Sequence, residues 1–204
     1  SIGVTLYPND GSDADALLRH ADQAMYTAKQ SGRNRFHLFD PESDRRARIR
    51  RDEMSRLQQA LGEREFVLHY QPKVNMREGR VFGAEALIRW QHPEEGLLPP
   101  ARFLPSIEGS EMDILVGEWV LEEALSQLEA WQRHGLSLVV SVNISATHLQ
   151  SPSFVEKLTL LLAAHPLIPP NCLELEISAA IAISSRAAVS RISRSRQLGG
   201  ISGW

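Results

Sequence analysis

The hydrophobic pattern changes period twice within the first 40 residues. Residues 1–8 alternate apolar with small or polar side chains, the period-two signature of a strand. Pro8-Asn-Asp-Gly11 carries turn chemistry, and Ser12 or Asp13 then caps a helix. That helix keeps Leu17, Ala21, Ala24 and Ala28 at helical spacing and closes at Gly32. Arg35 to Phe39 reads as a returning strand. A strand–helix–strand piece of this size holds too little core to fold alone and predicts the end of a larger domain. Residues 41–62 differ: Arg45-Arg46-Ala-Arg48-Ile-Arg50-Arg51 is a basic run, followed by Met54, Leu57 and Leu61 at helical spacing. This is the pattern of a charged linker helix.

From residue 65 the pattern becomes that of a second domain. Phe66 to Pro72 and Arg80 to Trp90 read as two strands, with Gly79 in the turn between them. Residues 111–134 predict a long amphipathic helix with Ile114, Leu115, Trp119, Leu121, Leu125, Leu128 and Trp131 as its apolar positions. Ser137 to Asn143 predicts a third strand and 152–164 a helix; Leu173 to Ile177 and 184–198 repeat the pair. After the first two strands, strand and helix alternate. An α/β fold with a parallel sheet follows, and both a doubly wound sheet and a (β/α) barrel fit it.

Strand periodicity also sorts the polar residues. Gly83, Glu85, Leu87 and Arg89 share one face, as do Ser141, Asn143 and Ser145, while Glu174 and Glu176 oppose Leu173, Leu175 and Ile177. A parallel strand is normally apolar on both faces. On one strand, an acid or amide marks a solvent-facing edge. On three successive strands, Glu, Asn and Glu fit a barrel lumen that opens where the strands end. All three are oxygen donors, suited to Mg²⁺ or Mn²⁺, and such an ion polarises a phosphoryl group and activates water.

Composition narrows the alternatives. An apolar share of 43% supports a packed core, and net charge −3 with pI near 6.2 gives no general attraction to a nucleic acid polymer or an anionic membrane. The basic run lacks interleaved aromatics, so it reads as a solvated helix face. No stretch approaches the roughly 20 apolar residues of a membrane helix. The opening Ser1 to Pro8 is not a signal peptide but a strand entered midway. The single cysteine, Cys172, excludes an internal disulfide and a Cys/His zinc site, and fits a reducing cytoplasm. His69, His92, His134, His148 and His165 stand in no nucleophile motif, and no glycine-rich phosphate loop occurs.

Five segments carry a resemblance. Tyr70-Gln-Pro-Lys73, Gly83-Ala-Glu-Ala-Leu-Ile-Arg-Trp90, Pro100-Ala-Arg-Phe-Leu-Pro105, Ser141-Val-Asn-Ile-Ser145 and Leu173-Glu-Leu-Glu-Ile177 resemble, in order and spacing, the opening of EAL-family domains. Ser1-Ile-Gly-Val4, His20 to Lys29 and Gly32-Arg-Asn-Arg-Phe36 resemble the end of a GGDEF-type diguanylate cyclase domain, whose signature loop is not among them. The resemblance implies residues 1–40 as the end of a GGDEF-type domain, 41–62 as the linker and 63–204 as the first half of a modified TIM (β/α)8 barrel. It implies hydrolysis of cyclic-di-GMP to linear pGpG with two divalent ions, Mg²⁺ or Mn²⁺. By the same resemblance Glu85, Asn143 and Glu176 match metal ligands, with Glu85 also catalytic, and Gln71, Leu87 and Arg89 match substrate contacts. Pro100 and Phe103 match the loop beside the ligand.

The match departs at Ala179, where the family carries a second Glu, and the family's paired aspartates and catalytic lysine belong to later strands. Residues 177–204 contain no Asp or Glu, and Gly200-Ile-Ser-Gly-Trp204 does not lead into the expected strand. A truncated or frameshifted product is the expectation: inactive as a phosphodiesterase, or a non-catalytic cyclic-di-GMP-binding module or inert fragment. Open strand edges would favour a homodimer over a monomer.

Overall fold

The structure is a computed structural model, and it describes residues 1–9 and 13–177. Within these the chain forms two compact units, Ser1–Ser55 and the part that begins at Arg56. The helix expected at 184–198, the position of Ala179 and the acid-free tail lie outside the described residues.

In the first unit β1 (Ile2–Val4) pairs in parallel with β2 (Phe36–Leu38), and α1 (Ala14–Gln30) crosses between them. Asp13 is the cap: its Oδ1 accepts the Ala16 N–H at 2.7 Å. Gly32 takes a φ of 103°, the left-handed turn that ends the helix. The first strand is shorter than the alternation over 1–8 predicted, because Tyr7–Asn9 already turn. Gly3 is forced by packing, since a Cβ there would sit 1.8 Å from the Ala21 carbonyl oxygen. The basic run lies on α2 (Pro41–Gly62), where Arg45, Arg46 and Arg48 are exposed. Leu57 and Ala60 near its C-terminal end are buried.

The second unit is built on a sheet of order β3-β4-β6-β7, with the three-residue β5 (Gly96–Leu98) added to β4. β3 (Phe66–Asn75) and β4 (Arg80–His92) run antiparallel; β4, β6 (Val139–Ile144) and β7 (Leu173–Ile177) are parallel. The crossovers are α3 (Leu104–Ile107) and α4 (Glu111–Arg133), then α5 (Ala146–Gln150) and α6 (Phe154–Ala164). β5, α3 and α5 were not predicted, being too short to show a period. Mixed connectivity of this kind is the opening of a barrel that the described residues do not close.

One face of the sheet is core. Ala84, Ala86, Ile88 and Trp90 alternate on β4, and Val140, Val142 and Ile144 on β6; all are buried. The ring of Phe66 lies 5.9 Å from Trp90, 5.5 Å from Phe103 and 5.9 Å from Trp119. Full burial of side chains of this size stabilises by about 1.5–3 kcal/mol each. The buried stripe of α4 is Met112, Val116, Val120, Leu121, Ala124, Leu125 and Leu128. The predicted stripe was rotated: Leu115 is 39% exposed, because α4 carries more apolar residues than one face can hold.

Candidate functional site

The opposite face of the sheet is polar, and strand register assigns it. Across β3 and β4, Arg89 faces Val67, Leu87 faces His69, Glu85 faces Gln71 and Gly83 faces Lys73. Glu85 pairs with Ser141 on β6, which pairs with Glu174 on β7; one step further along, Asn143 pairs with Glu176. Side chains that face each other in register lie on the same side of a sheet. Four strands thus place Gln71, Lys73, Glu85, Ser141, Asn143, Glu174 and Glu176 on one surface.

These side chains are joined. The Asn143 Nδ2 donates to Glu85 Oε1 at 2.8 Å. Ser141, fully buried, donates to Glu174 Oε2 at 2.6 Å. Lys73 donates to Ser141 Oγ at 2.5 Å and Glu176 Oε1 at 2.6 Å, and reaches Glu174 Oε2 at 3.5 Å. The hydrogen bond to Glu176 comes first among the causes that hold the Lys73 ammonium above its ordinary range. The Ser141 hydroxyl, aided by the Lys73 charge, holds the Glu174 carboxyl below its own.

The other matched positions divide. Arg89 is half-buried and its Nη1 donates to the Ile88 carbonyl at 2.8 Å, so one donor of the guanidinium fork is already engaged. Gln71 is exposed, and Leu87 is half-buried. Pro100 opens a helical turn (Pro100–Arg102) and lines a shallow cleft with Leu104, Asp113 and Ser145. Phe103 is only 2% exposed and its ring lies inside the aromatic core, so it fixes the loop from behind.

Two features were not singled out in the sequence. Lys73 was placed beyond a strand ending at Pro72; β3 continues to Asn75, and strand alternation puts Lys73 on the same face as Gln71. Glu65 stands before β3 and accepts from the Trp90 indole at 2.8 Å and from Arg56 at 2.6 Å. Burial opposes its charge, but the bonds from Trp90 and Arg56 prevail and hold its carboxyl below the usual range. The Arg56 guanidinium also lies 5.2 Å above the Trp90 ring. No short-range pattern links residues 56, 65 and 90.

Known proteins share both this fold and these segments. The EAL domain family matches residues 54–200, and the diguanylate cyclase GGDEF domain family matches residues 1–35. The chain therefore belongs to the EAL domain family, with a GGDEF fragment at its start. It is 39% identical over 184 residues to the bifunctional diguanylate cyclase/cyclic di-GMP phosphodiesterase MucR of Pseudomonas aeruginosa, covering 90% of this chain and 27% of that protein. It is 44% identical over 149 residues to the cyclic di-GMP phosphodiesterase PdeR of Escherichia coli, covering 73% of this chain and 22% of PdeR. The solved structure described as PaMucR phosphodiesterase in complex with c-di-GMP superposes with TM-score 0.67 at 36% identity, over 72% of this chain and 60% of that one. The chain thus spans about a quarter of the length of these curated relatives.

Proposed function

We propose that the second unit recognises cyclic-di-GMP on the polar face of its sheet and holds one divalent ion there. The observation that carries this is the register that brings Glu85, Asn143 and Glu176 onto one face of three adjacent parallel strands. The donor set fits Mg²⁺ or Mn²⁺, being two carboxylates and an amide, all hard oxygen ligands. Among the described residues no three acidic, histidine or cysteine side chains converge on one point, and the proposed set takes the amide of Asn143 as its third protein donor. A bound ion would supply charge neutralisation at a phosphate and a lowered pKa for a coordinated water.

The chain's own residues do the rest. Arg89 binds a phosphate through the part of its fork that Ile88 leaves over. Gln71 contacts the ligand beside Glu85 and Leu87 packs under a base, while Pro100 and Phe103 set the loop at the rim. By family resemblance hydrolysis takes two ions and a base, and the described face offers the ligands of one. Binding without turnover is therefore the function proposed for this chain.

Three further readings go with it. Residues 1–40, 41–62 and 63–204 serve as GGDEF-type end, linker and EAL-type part. Among the described residues β3 and β7 end the sheet, and they offer an edge to a second copy. Among the described residues no helix is long and apolar enough to cross a membrane, and with Cys172 as a free thiol a cytoplasmic setting is proposed.

The test is incubation with cyclic-di-GMP and Mg²⁺ or Mn²⁺, following linear pGpG by mass spectrometry, with Glu85→Ala as control. No product from a folded sample is expected. Product that disappears in Glu85→Ala would overturn the binding-only reading and make the chain a working phosphodiesterase.

A further inference from the structure

We propose that Lys73 is a built-in competitor of the divalent ion: its ammonium holds the Glu176 carboxylate that the ion needs, and so limits how tightly the site loads. The inference rests on the reading of Glu85, Asn143 and Glu176 as ion ligands and adds a residue that acts through one of them.

The ammonium has three donors, and three acceptors surround it: Ser141 Oγ at 2.5 Å, Glu176 Oε1 at 2.6 Å and Glu174 Oε2 at 3.5 Å. Local backbone geometry accommodates it. Gly83 lies opposite in the register and adds no side chain to that face. A Cβ at Gly83 would come 2.5 Å from the Val139 carbonyl oxygen, so glycine is required there by the approach of β4 to β6. The register shifts directly after Lys73, a bulge of the kind that re-aims a side chain.

Glu85 and Glu176 are therefore engaged differently. Glu85 is held by a neutral amide, which an ion can replace at small electrostatic cost. Glu176 is held by a positive charge in a charge-assisted hydrogen bond. An ion that takes Glu176 must displace that ammonium or sit beside it, and a cation beside a dication opposes binding. Lys73 offsets one of the two negative charges of Glu174 and Glu176 when no ion is present. Lys73 is thus a positioning residue, and its effect falls on ion affinity.

The test is a Mn²⁺ titration of the 204-residue chain, read by the paramagnetic resonance signal of free Mn²⁺ with no nucleotide present. Lys73→Met is compared with wild type and with Lys157→Gln, which removes an equal charge from the Lys157–Glu118 ion pair on the helical side. Lys73→Gln serves as the second variant should Lys73→Met fail to fold. The expected result is Mn²⁺ binding tighter by about tenfold or more in the Lys73 variant and unchanged in Lys157→Gln. Binding only in the Lys73 variant would support the proposal more strongly still. Equal affinity in wild type and variant would overturn the competition and leave the ion reading intact; so would weaker binding, which would make Lys73 an aid to Glu176. No Mn²⁺ binding by any of the chains would remove the ion reading and this proposal together.

Discussion

Asn143 on β6 donates its side-chain amide to Glu85 on β4 across 2.8 Å, joining two strands that bring their polar residues to the same face. The bond is exposed, and water competes for both partners, so it contributes little net stability, about 1 kcal/mol. Asn143→Ala is therefore expected to leave the melting temperature nearly unchanged. On the proposed reading of Asn143 as an ion ligand its effect falls on ion binding, and Mn²⁺ affinity should drop by about tenfold or more. A melting curve and a Mn²⁺ titration on the same sample separate the two effects.

Glu65 has the opposite profile. It is the acceptor for both the Trp90 indole and the Arg56 guanidinium, and it lies where α2 gives way to β3. Glu65→Ala leaves an indole N–H and a half-buried guanidinium without their acceptor, and hydrogen bonds to charged groups are worth about 1.5–3 kcal/mol. A loss of about 2–3 kcal/mol, read by denaturant unfolding with unchanged slope, is the expectation. A change under 0.5 kcal/mol, by the scale of ordinary surface substitutions, would show that the triad does not anchor the strand.

Gly83 sits where β4 passes close against β6. An alanine methyl would meet the Val139 carbonyl at 2.5 Å, and both partners are backbone held in the sheet. Gly83→Ala is expected to destabilise by about 1–3 kcal/mol through overpacking. Gly79→Ala, in the β3–β4 turn with open space around it, tests a different cause, since its φ of 63° strains any side chain. Thermal melts of the two variants check both.

His148 ties stability to pH. It lies buried on α5 against Phe154, 4.9 Å between ring centroids, and Gly117 on α4 leaves room for its ring. Burial pushes its pKa below the ordinary 6.5, against the pull of Glu118 and Asp113 and with the help of Lys157. The unfolded chain takes up a proton near pH 6.5 that the folded chain refuses. Stability is therefore full above that value and falls as pH drops below it, until the folded pKa is reached. His148→Leu should melt at a temperature that changes less between pH 7.5 and pH 5.5, by about 3 °C for a domain of this size. An identical pH dependence in wild type and variant would contradict this.

The elements legible in the sequence were those long enough to repeat a period. The bounds of α4 and β7 fell where periodicity put them, and the alternation of polar residues along β4, β6 and β7 marked one face before any register was known. Register itself was not legible, because pairing Asn143 with Glu176 and Glu85 with Ser141 depends on how four strands align. Lys73 was hidden by Pro72, which reads as a strand end but sits on a terminal strand of the sheet, where a missing N–H is tolerated. Phe103 matched a loop beside the ligand, yet its ring is core; a motif gives position along the chain, whereas burial decides which way the side chain turns.

The proposed recognition of cyclic-di-GMP by the polar face predicts saturable binding that depends on Arg89. Isothermal titration of the chain with cyclic-di-GMP in Mg²⁺, beside Arg89→Ala, tests it most directly. The predicted result is saturable binding by wild type that weakens by about tenfold or more in the variant, the effect of losing a charged hydrogen-bond donor to phosphate. A folded wild type that takes up no ligand, or binding that Arg89→Ala leaves unchanged, would rule out recognition by this face.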